Sequence, residues 1–389
     1  MFTEVLGFTL ALPVIPFLAL SLGLTPFVIG LIASIFSVAQ LFSAPVFGKL
    51  SDKYGRKPIL IISQTSTFIG FALLGFATNL YILILARLVD GALGSNMTVT
   101  QAYLSDVTTP EERTKVFSLS SGVFGIGLVF GPALGGLLAS IDYSFPMFVA
   151  AGISFISIIL VIIFLPESLD TKTVDVKFSI KDIIPIQDFK RYYRNPKTRF
   201  SLISLFLYYI SFMLFIANLP LLAEIQLKAD TVLVGLYHTW IGILRIGLQF
   251  FLMGIILKYL GESRAILTAL ISMIFMMVIV TFITDSMLVF LPLVFLAYGT
   301  GVGRPILMSR LSQTVPKQEN GLIMGVSNAL QSIVQIFVPI IGGLILDYLF
   351  PQLITIISAI TFTILFFYYF FNAKHFYQPK ERLETIPNL

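Results

Sequence analysis

The residues GKLSDKYGRKP, Gly48 to Pro58, form a short basic island in an otherwise apolar part of the chain. The island holds five charged residues and two glycines within eleven positions. On each side lie about 20 mostly apolar residues, the length that crosses a hydrocarbon core of roughly 30 Å as a helix. A basic turn between two such segments predicts a loop that joins two membrane-spanning helices.

The composition of the whole chain agrees with this local pattern. Of its 389 residues 57% are hydrophobic and only 12% are charged, which is typical of a protein whose solvent is lipid. The absence of cysteine excludes disulfides and thiolate metal sites, and two histidines cannot build a metal centre by themselves, so neither a metal nor another cofactor is predicted. No phosphate-binding loop of the Walker type occurs, which argues against ATP hydrolysis on this chain.

Apolar runs bounded by polar residues, glycine or proline predict an all-α membrane protein with twelve spans. Their predicted ranges, numbered spans 1 to 12, are 1–20, 27–47, 59–78, 80–103, 116–140, 145–165, 199–222, 233–257, 265–284, 287–308, 320–346 and 351–371. Few residues precede Glu4 in span 1, which is compatible with a start upstream of Met1.

Lysine and arginine predict the orientation of these spans. Twenty-one of the 25 basic residues fall in the connections and the tail on one side, whereas the other side carries only Lys228. Because cytoplasmic loops are enriched in lysine and arginine, we expect both termini and the long central loop in the cytoplasm of a multi-pass cell-membrane protein. The same distribution explains the net charge of +5 without a nucleic-acid partner.

The chain repeats itself with an offset of about 206 residues, so that two six-span copies share one orientation. The matching positions are Gly48 and Gly254, Gly55 and Gly261, Pro110 and Pro316, and, one residue out of register, Pro132 and Pro339. The predicted organisation is therefore a first bundle over 1–166, a cytoplasmic linker over 167–198, a second bundle over 199–371 and a cytoplasmic tail over 372–389.

The basic island also resembles a family motif. Seven positions fit the loop between helices 2 and 3 of the major facilitator superfamily of transporters, namely Gly48, Leu50, Asp52, Lys53, Gly55, Arg56 and Lys57. Parallel six-helix repeats, with the substrate site between the halves, are the architecture of that superfamily. The resemblance implies a cytoplasmic gating loop, in which Asp52 could sit at the N-terminus of a helix of the other half. A merely topogenic basic loop is the alternative.

Span 5 carries a second motif, formed by Gly127, Gly131, Pro132, Gly135 and Gly136. Three of the glycines recur every fourth residue, so they form one groove against which another helix can pack closely, and the proline predicts a kink. The segment resembles the motif associated with antiporters of the superfamily. Generic glycine packing is the alternative interpretation.

Span 1 and the end of span 6 extend the resemblance to one branch of the superfamily. Leu6, Gly7, Pro13, Val14 and Pro16 fit a pattern of the twelve-helix drug/proton antiporters, and residues 166–168 read PES after span 6. Residues 1–168 as a whole look most like tetracycline/proton antiporters, whereas the second half matches mainly in its architecture.

Charged residues inside the spans are functional candidates because burying charge in a membrane is costly. Glu4, Arg87, Asp90 and Arg245 are predicted to serve in proton coupling or substrate binding, and Arg87 fits a superfamily motif linked with proton transfer. A structural Arg87–Asp90 ion pair and a terminal, lipid-surface Glu4 are the alternatives. Arg304, late in span 10, is expected to reach the cytoplasmic surface. Polar candidates for the cavity are Gln40, Asn96, His238, Gln331 and Gln335.

These features predict a monomeric secondary transporter that works by alternating access, with a small-molecule substrate, protons and the lipid bilayer as its partners. The favoured activity is proton-coupled efflux of amphipathic, drug-like compounds. One alternative is a symporter or uniporter for an organic anion or a sugar, since three arginines lie in the spans. A receptor or a membrane enzyme is the other alternative, but the chain shows neither a sizeable sensor module nor a convergent set of catalytic side chains.

Overall fold

The computed structural model describes residues 1–169, 186–316 and 319–376, and these residues contain helices and no strand. The described helices, in chain order, are Phe2–Ala11, Ile15–Ser21, Pro26–Tyr54, Arg56–Gly75, Leu80–Leu93, Asn96–Asp106, Pro110–Ala139, Phe145–Phe164, Ile186–Tyr193, Pro196–Ile216, Leu219–Leu227, Thr231–Gly247, the π-helix Leu248–Leu252, Met253–Phe282, the 3-10 turn Met287–Val289, Phe290–Ser312, Asn320–Tyr348 and Gln352–Phe376.

Eleven helical stretches in the described residues are long and apolar enough to cross a membrane. One of them, Thr231–Phe282, has 52 residues, about 78 Å of helix, which is more than twice the thickness of a hydrocarbon core. Its continuity is broken at Gly261, where φ is 68° and ψ is 166°. The stretch therefore contains spans 8 and 9, and the all-α architecture with twelve spans is confirmed.

Three spans predicted as single helices are each two helices in the structure. Span 1 breaks after Ala11, beside Pro13; span 4 breaks at Gly94; and span 7 breaks after Ile216. Pro13 cannot donate a backbone hydrogen bond, and glycine favours irregular backbone, which accounts for the first two breaks.

The internal repeat has a backbone signature. Gly55 ends span 2 with φ of 100°, and its counterpart Gly261 ends span 8 with φ of 68°. A side chain is strained in this part of conformational space, so glycine permits the abrupt turn into spans 3 and 9. The two loops that the sequence aligned thus share one backbone conformation.

The two halves touch through spans 2 and 11 near the ends far from the Gly48–Pro58 loop. We call the side that carries this loop the basic face, and the other side the opposite face. A side chain at Gly30 would overlap the carbonyl of Pro339, and one at Gly343 would overlap the backbone of Pro26. The Asp347 carboxylate accepts a hydrogen bond of 2.9 Å from the amide of Phe27, at the N-terminus of span 2.

Spans 5 and 8 form the second contact between the halves, again towards the opposite face. A side chain at Gly235 would overlap the carbonyl of Pro132, and one at Gly136 would overlap the carbonyl of Thr231. Thr239 donates a hydrogen bond of 2.7 Å to the carbonyl of Val129. Contact between the backbones therefore extends over several turns.

Towards the basic face the halves separate. An added side chain would meet no atom within 4 Å at four glycines of these spans: Gly122 in span 5, Gly247 in span 8, and Gly321 and Gly325 in span 11. Spans 2 and 11, which are in backbone contact at one face, are thus apart at the other, whereas spans 5 and 8 still approach each other at Gly125 and Ile246. This asymmetry leaves a cavity between the halves.

The helix Ile186–Tyr193 lies in the predicted linker, of which residues 170–185 are outside the described residues. Arg191 and Tyr192 hydrogen-bond the two carboxylate oxygens of Glu319, at 2.7 and 3.0 Å. Glu319 immediately precedes span 11, so the linker helix is attached to the span that forms one wall of the cavity.

Candidate functional site

The cavity has a volume of about 510 Å³ and lies between spans 2, 4 and 11. This volume is in the range of small-molecule sites in proteins. Gln40 of span 2 and Gln335 of span 11, both predicted cavity residues, line it. The rest of the wall is mostly small or polar: Ser37, Leu41, Ala44, Pro45, Gly94, Ser95, Met97, Thr98, Gly321, Leu322, Gly325, Asn328, Ala329 and Ser332.

The other three predicted cavity residues do not line it. Gln331 accepts a hydrogen bond from Arg304 at 3.2 Å. Asn96 is buried and donates a hydrogen bond of 2.9 Å to Thr67. The Nδ1 atom of His238 lies 2.9 Å from the carbonyl of Val234, one turn away in the same helix.

Asp90 is the centre of a buried polar network in the first half. Its Oδ1 accepts a hydrogen bond of 2.9 Å from Thr67 of span 3, whose hydroxyl in turn accepts the bond from Asn96. A side chain at Gly70, one turn from Thr67, would come within 2.7 Å of the Asp90 Cβ. Gly70 therefore lets span 3 approach the carboxylate closely enough for Thr67 to reach it.

Arg87 is buried one turn from Asp90, but no ion pair within 4 Å joins them, and none is formed by Arg87 with any described residue. Its Nε and Nη2 atoms are buried without a hydrogen-bond partner in the described protein. The guanidinium lies 5.3 Å from the centre of the Phe36 ring. The structural ion pair considered for these two residues is therefore absent, because Asp90 turns towards Thr67.

Glu4 of span 1 adds a second carboxyl group to the interior of the first half. Its Oε2 is buried and has no hydrogen-bond partner in the described residues. Two carboxyl groups and one guanidinium thus share the interior of the first half. Six buried donor or acceptor atoms there have no hydrogen-bond partner in the described part of the chain: Glu4 Oε2, Ser63 Oγ, Gln64 Oε1, Arg87 Nε, Arg87 Nη2 and Asn96 Oδ1. No group of three histidine, aspartate or glutamate side chains in the described residues could hold a metal ion.

The second half presents arginines to the interior. Arg245 in span 8 and Arg304 in span 10 are both half-buried, and the Arg245 Cγ lies 3.6 Å from the point where a side chain at Gly301, one turn before Arg304, would begin. The expectation that Arg304 reaches the membrane surface is wrong. Its guanidinium bonds Gln331 and lies 5.8 Å from the centre of the Tyr209 ring, so neighbouring spans hold it inside the bundle.

The basic island is organised around Arg56. Its Nη1 is 2.6 Å from the Asp52 carboxylate and its Nε is 2.7 Å from Asp106 at the end of span 4. Nη1 also donates to the hydroxyl of Ser51 at 2.6 Å. Arg56 thus ties the loop to span 4. The remaining motif residues are Gly48 and Leu50 in the last turns of span 2, Lys53 near Tyr54, and Lys57, whose Nζ donates to the carbonyl of Ile162.

The carboxylate at a helix N-terminus in this loop is Glu167, from the PES tripeptide, and not Asp52. Glu167 accepts hydrogen bonds from the amides of Arg56 and Lys57 at 2.8 and 3.1 Å, at the start of span 3. Asp52 is 45% exposed and makes no contact with a helix of the other half, because spans 2 and 11 diverge at the basic face.

The matching loop of the second half holds the same kind of link with the charges exchanged. Glu262 stands where the first half has Arg56, and its carboxylate is 3.2 Å from Arg310 at the end of span 10. Arg310 also donates to Ser263 at 2.7 Å and to the hydroxyl of Tyr369. Each half therefore fastens its loop to its fourth span through one buried arginine, supplied by the loop in one half and by the span in the other.

The glycine groove of span 5 holds span 1. Side chains at Gly127, Gly131 and Gly135 would overlap Val5, Thr9 and Leu10, respectively. Thr9 donates a hydrogen bond of 2.8 Å to the carbonyl of Gly127. The segment continues through Pro132 as one helix, whereas Gly136 on the adjacent face contacts span 8.

Comparison with known proteins places these features in a family. The model described as "Major Facilitator Superfamily" matches residues 1–339 and, again, 202–387. The chain is 29% identical to the class C tetracycline resistance protein of Escherichia coli, covering 87% of this chain and 85% of that protein. It is 28% identical to the class H protein of Pasteurella multocida, at 95% and 94% coverage. Multidrug resistance protein 2 of Bacillus subtilis (strain 168) is 26% identical, at 89% and 86% coverage.

Solved structures share the fold. The human organic anion transporter MFSD10 (TETRAN) superposes with a TM-score of 0.67 at 20% identity, covering 95% of this chain and 96% of that chain. The nucleoside transporter NupG superposes with a TM-score of 0.74 at 13% identity, covering 96% and 97%. At such identities these similarities concern the architecture alone.

Proposed function

Because the chain belongs to the Major Facilitator Superfamily, it is a multi-pass membrane transporter of small molecules and not an enzyme, and we propose that it exports amphipathic compounds in exchange for protons. The observation that carries this proposal is the cavity between the halves, which is closed by backbone contacts towards the opposite face and bordered by separated spans towards the basic face.

Alternating access requires two states in which opposite ends of the same cavity are closed. Glycines at the contacts of spans 2 with 11 and 5 with 8 let backbone meet backbone, which forms a seal without long side chains. We infer from the lysines and arginines of the basic face that this face is cytoplasmic, together with both termini. On that orientation, a cavity bordered by separated spans at the basic face supports an inward-open arrangement.

Proton coupling is assigned to Glu4 and Asp90. Buried carboxyl groups inside a membrane protein are the usual carriers of protons, because their charge is costly until it is neutralised or paired. Arg87 lies one turn from Asp90 without an ion pair, so its positive charge is available to a carboxylate that turns towards it. Protonation of either acid would change the balance of charge in the first half and thereby the stability of the two states.

Amphipathic cargo is supported by the relatives and by the cavity wall. The relatives are named for resistance to tetracycline or to several drugs. The wall mixes amide and hydroxyl groups, such as Gln40, Asn328 and Gln335, with the apolar side chains of Leu41 and Leu322. We further propose that the protein acts as a monomer in the cell membrane, since each wall of the cavity comes from this one chain.

Membrane vesicles provide a direct test. The protein is reconstituted, vesicles with the basic face outward are selected by protease access to the central loop, and an inside-acid pH gradient is imposed. Proton-coupled export predicts that tetracycline accumulates in the vesicles and that accumulation stops when the gradient is collapsed. Accumulation that is the same with and without the gradient would contradict proton antiport while leaving transport itself in place.

A symporter or uniporter for an organic anion is the second candidate. It is favoured by one observation, namely that Arg245 and Arg304 face the interior without a carboxylate partner in the described residues. Symport predicts accumulation of an organic anion under an inside-alkaline gradient, whereas uniport predicts that the anion only equilibrates and accumulates under neither gradient. The same vesicles therefore discriminate between the candidates by the sign of the gradient.

A further inference from the structure

We propose that Arg245 and Arg304, with the hydroxyl of Tyr208 beside them, form a subsite for the anionic group of an amphipathic substrate. The inference rests on the transport function proposed above and adds the chemical class of the substrate: a small apolar body that carries a carboxylate, sulfonate or similar oxyanion. It concerns binding alone, so it holds for either direction of transport.

Arg245 supplies the first positive charge. It lies in the last turn of the helix Thr231–Gly247, three residues before the π-helix Leu248–Leu252. Short π-helical segments occur often at functional sites, because they change the direction of side chains along a helix. Arg245 forms no hydrogen bond or ion pair with the described residues, and it is half-buried, so its donor groups remain open to a ligand.

Arg304 supplies the second charge and has only neutral partners. Nη2 donates to Gln331 at 3.2 Å, and the ring of Tyr209 lies 5.8 Å from the guanidinium carbon. A guanidinium has five donor hydrogens, so these contacts leave most of its hydrogen-bonding capacity unused. They do fix the direction of the guanidinium, which a bidentate bond to an oxyanion requires.

Tyr208 supplies a hydroxyl with no partner. Its side chain is only 1% exposed, and its oxygen is buried without a hydrogen bond in the described protein. Its ring lies 3.5 Å from the point where a side chain at Gly303, the neighbour of Arg304, would begin. A buried hydroxyl normally finds a partner, so an unused one beside this part of span 10 marks a place where a ligand oxygen would complete the bonding.

No carboxylate of the described second half neutralises the two arginines. Five of its six acidic residues accept hydrogen bonds elsewhere, and the sixth, Glu224, lies at the opposite-face end of span 7. The five and their partners are Asp230 with the amide of Leu233, Glu262 with Arg310, Asp285 with the amide of Met287, Glu319 with Arg191, and Asp347 with the amide of Phe27.

Two neighbouring cations in a low-dielectric interior repel each other, and an anion between them removes that repulsion. Arginine is the side chain best suited to this role, since its planar fork matches the two oxygens of a carboxylate or sulfonate. The interior of the first half holds Glu4 and Asp90 as well as Arg87, whereas Arg245 and Arg304 have no carboxylate partner in the described residues. The interior therefore offers a proton-binding side and an anion-binding side.

Two dyes that differ in one sulfonate test the proposal. 8-Anilinonaphthalene-1-sulfonate and N-phenyl-1-naphthylamine share one aromatic skeleton, and only the first is an anion. Fluorescence titration of the full chain in phosphatidylcholine nanodiscs, with empty nanodiscs subtracted, gives the Kd of each dye. We expect Arg245→Gln and Arg304→Gln each to raise the Kd of the sulfonate at least about tenfold and that of the neutral dye less than about twofold.

Arg264→Gln is the matched control, because it removes the same charge from an exposed position of the second half on the basic face. It should leave both Kd values as in the wild type. Equal affinities of the two dyes for the wild type, or equal losses of both dyes in the arginine variants, would overturn the proposal. Elution of each variant as a single peak at the wild-type volume is required before its Kd is compared.

A competition experiment needs no variant. In the wild type, 2-naphthoate should displace the bound sulfonate dye, whereas the uncharged 2-naphthalenemethanol should not; displacement by both alike would overturn the proposal. Nanodiscs that include phosphatidylglycerol test a lipid headgroup as the occupant, and loss of dye binding there would also overturn it. These assays use no gradient, so loss of proton-driven transport with intact anion binding would refute antiport and leave the subsite standing.

Discussion

Asp90 is the best-connected titratable group inside the first half. Thr67 holds the ionised or protonated carboxyl in one orientation, and Asn96 orients Thr67 in turn. Arg87 is one turn away but has two buried nitrogens without a partner. Asp90 can therefore change its partner when its protonation changes, because Arg87 is near enough to attract the carboxylate and is not bound to it.

Asp90→Asn should remove proton coupling and preserve the fold. The amide keeps an oxygen that can accept from Thr67 but carries no titratable proton. We expect proton-driven accumulation to fall at least about tenfold, while downhill exchange of the same compound across the membrane persists. Both rates are measured in reconstituted vesicles.

Asp142→Asn is the control for this variant, since that carboxylate only accepts a hydrogen bond from the amide of Ser144 at the opposite face. Its accumulation should equal that of the wild type. Undiminished gradient-driven accumulation in Asp90→Asn would remove Asp90 from the coupling mechanism.

Single residues also show what the sequence could and could not predict at the site. Arg56 and Asp90 were identifiable because a motif or an intramembrane charge marks them. Their partners Asp106 and Thr67 were not, because they lie 50 and 23 residues away in the chain and are ordinary polar residues in their local context. Arg304 was misplaced for the same reason: its position near a helix end predicted a surface residue, and Gln331 and Tyr209 of other spans hold it inside.

At the scale of elements, the fold depends on which spans pack closely against each other. Spans 1 and 5 meet along the groove of Gly127, Gly131 and Gly135, where the backbones are close enough for Thr9 to bond a carbonyl of the other helix. Without a hydrophobic driving force between helices in lipid, such close packing is a main source of association. The periodic glycines were sufficient to predict the groove, but not which helix fills it.

Gly131→Ala should therefore destabilise the first half. The added methyl group would overlap the hydroxyl of Thr9 and come within 3.0 Å of the amide of Leu10, and overpacking of this kind costs about 1–3 kcal/mol. The measurement is the thermal midpoint of the purified protein in detergent.

Gly152→Ala in span 6 is the matched control, because a methyl group there would meet no atom within 4 Å. Its midpoint should stay at or above that of the wild type. Equal midpoints for the two variants would show that span 1 does not pack in the groove as described.

Spans 2 and 11 each carry a carboxylate near their C-terminal end, and these two ends lie at opposite faces. At the opposite face Asp347, at the end of span 11, bonds the N-terminus of span 2. At the basic face Asp52, at the end of span 2, is exposed and bonds Arg56 within its own half. We infer that closure of the basic face would bring Asp52 to the N-terminus of span 11, so that one carboxylate is engaged in each state.

Asn substitutions at the two positions should shift the equilibrium in opposite directions. A carboxylate at a helix N-terminus contributes about 0.3–1 kcal/mol, more when partly buried, so populations should change roughly two- to fivefold. Asp347→Asn should favour closure of the basic face, and Asp52→Asn should oppose it and slow transport while the protein still inserts in the membrane.

Accessibility of single cysteines near the cavity to a membrane-impermeant maleimide, added at the basic face, measures this equilibrium. Reactivity should fall in Asp347→Asn and rise in Asp52→Asn, and Asp142→Asn should match the wild type. Shifts of the same sign in both variants would rule out two alternating latches.

The whole molecule is two copies of one six-span plan that differ in charge. The apolar runs and the offset of 206 residues predicted the number of spans, and Gly55 and Gly261 share the backbone turn that this offset implies. The sequence showed that Glu262 of the second half takes the place of Arg56 of the first. It did not show that their partners, Arg310 and Asp106, also have opposite charges, because the offset does not align those two positions.

The conformational state itself could not be predicted. The apolar patterns of the spans do not change with the face to which the cavity opens. The state is visible only in contacts between distant residues, such as the backbone contacts of Gly30 and Gly343 and the bond from Phe27 to Asp347 at the opposite face.

Distances between spin labels on the two halves test the central claim, that the halves move about the cavity. The chain has no cysteine, so introduced pairs are labelled without background. Tyr54 and Tyr259, 56% and 73% exposed, report on the basic face, and Ile141 and Met287, 74% and 60% exposed, report on the opposite face. Double electron–electron resonance is recorded in nanodiscs at acidic and at alkaline pH, with and without tetracycline.

Alternating access predicts two distance populations for each pair, with the basic-face distance shortening in the conditions where the opposite-face distance lengthens. A single unchanging distance for both pairs, or distances that rise and fall together, would contradict it.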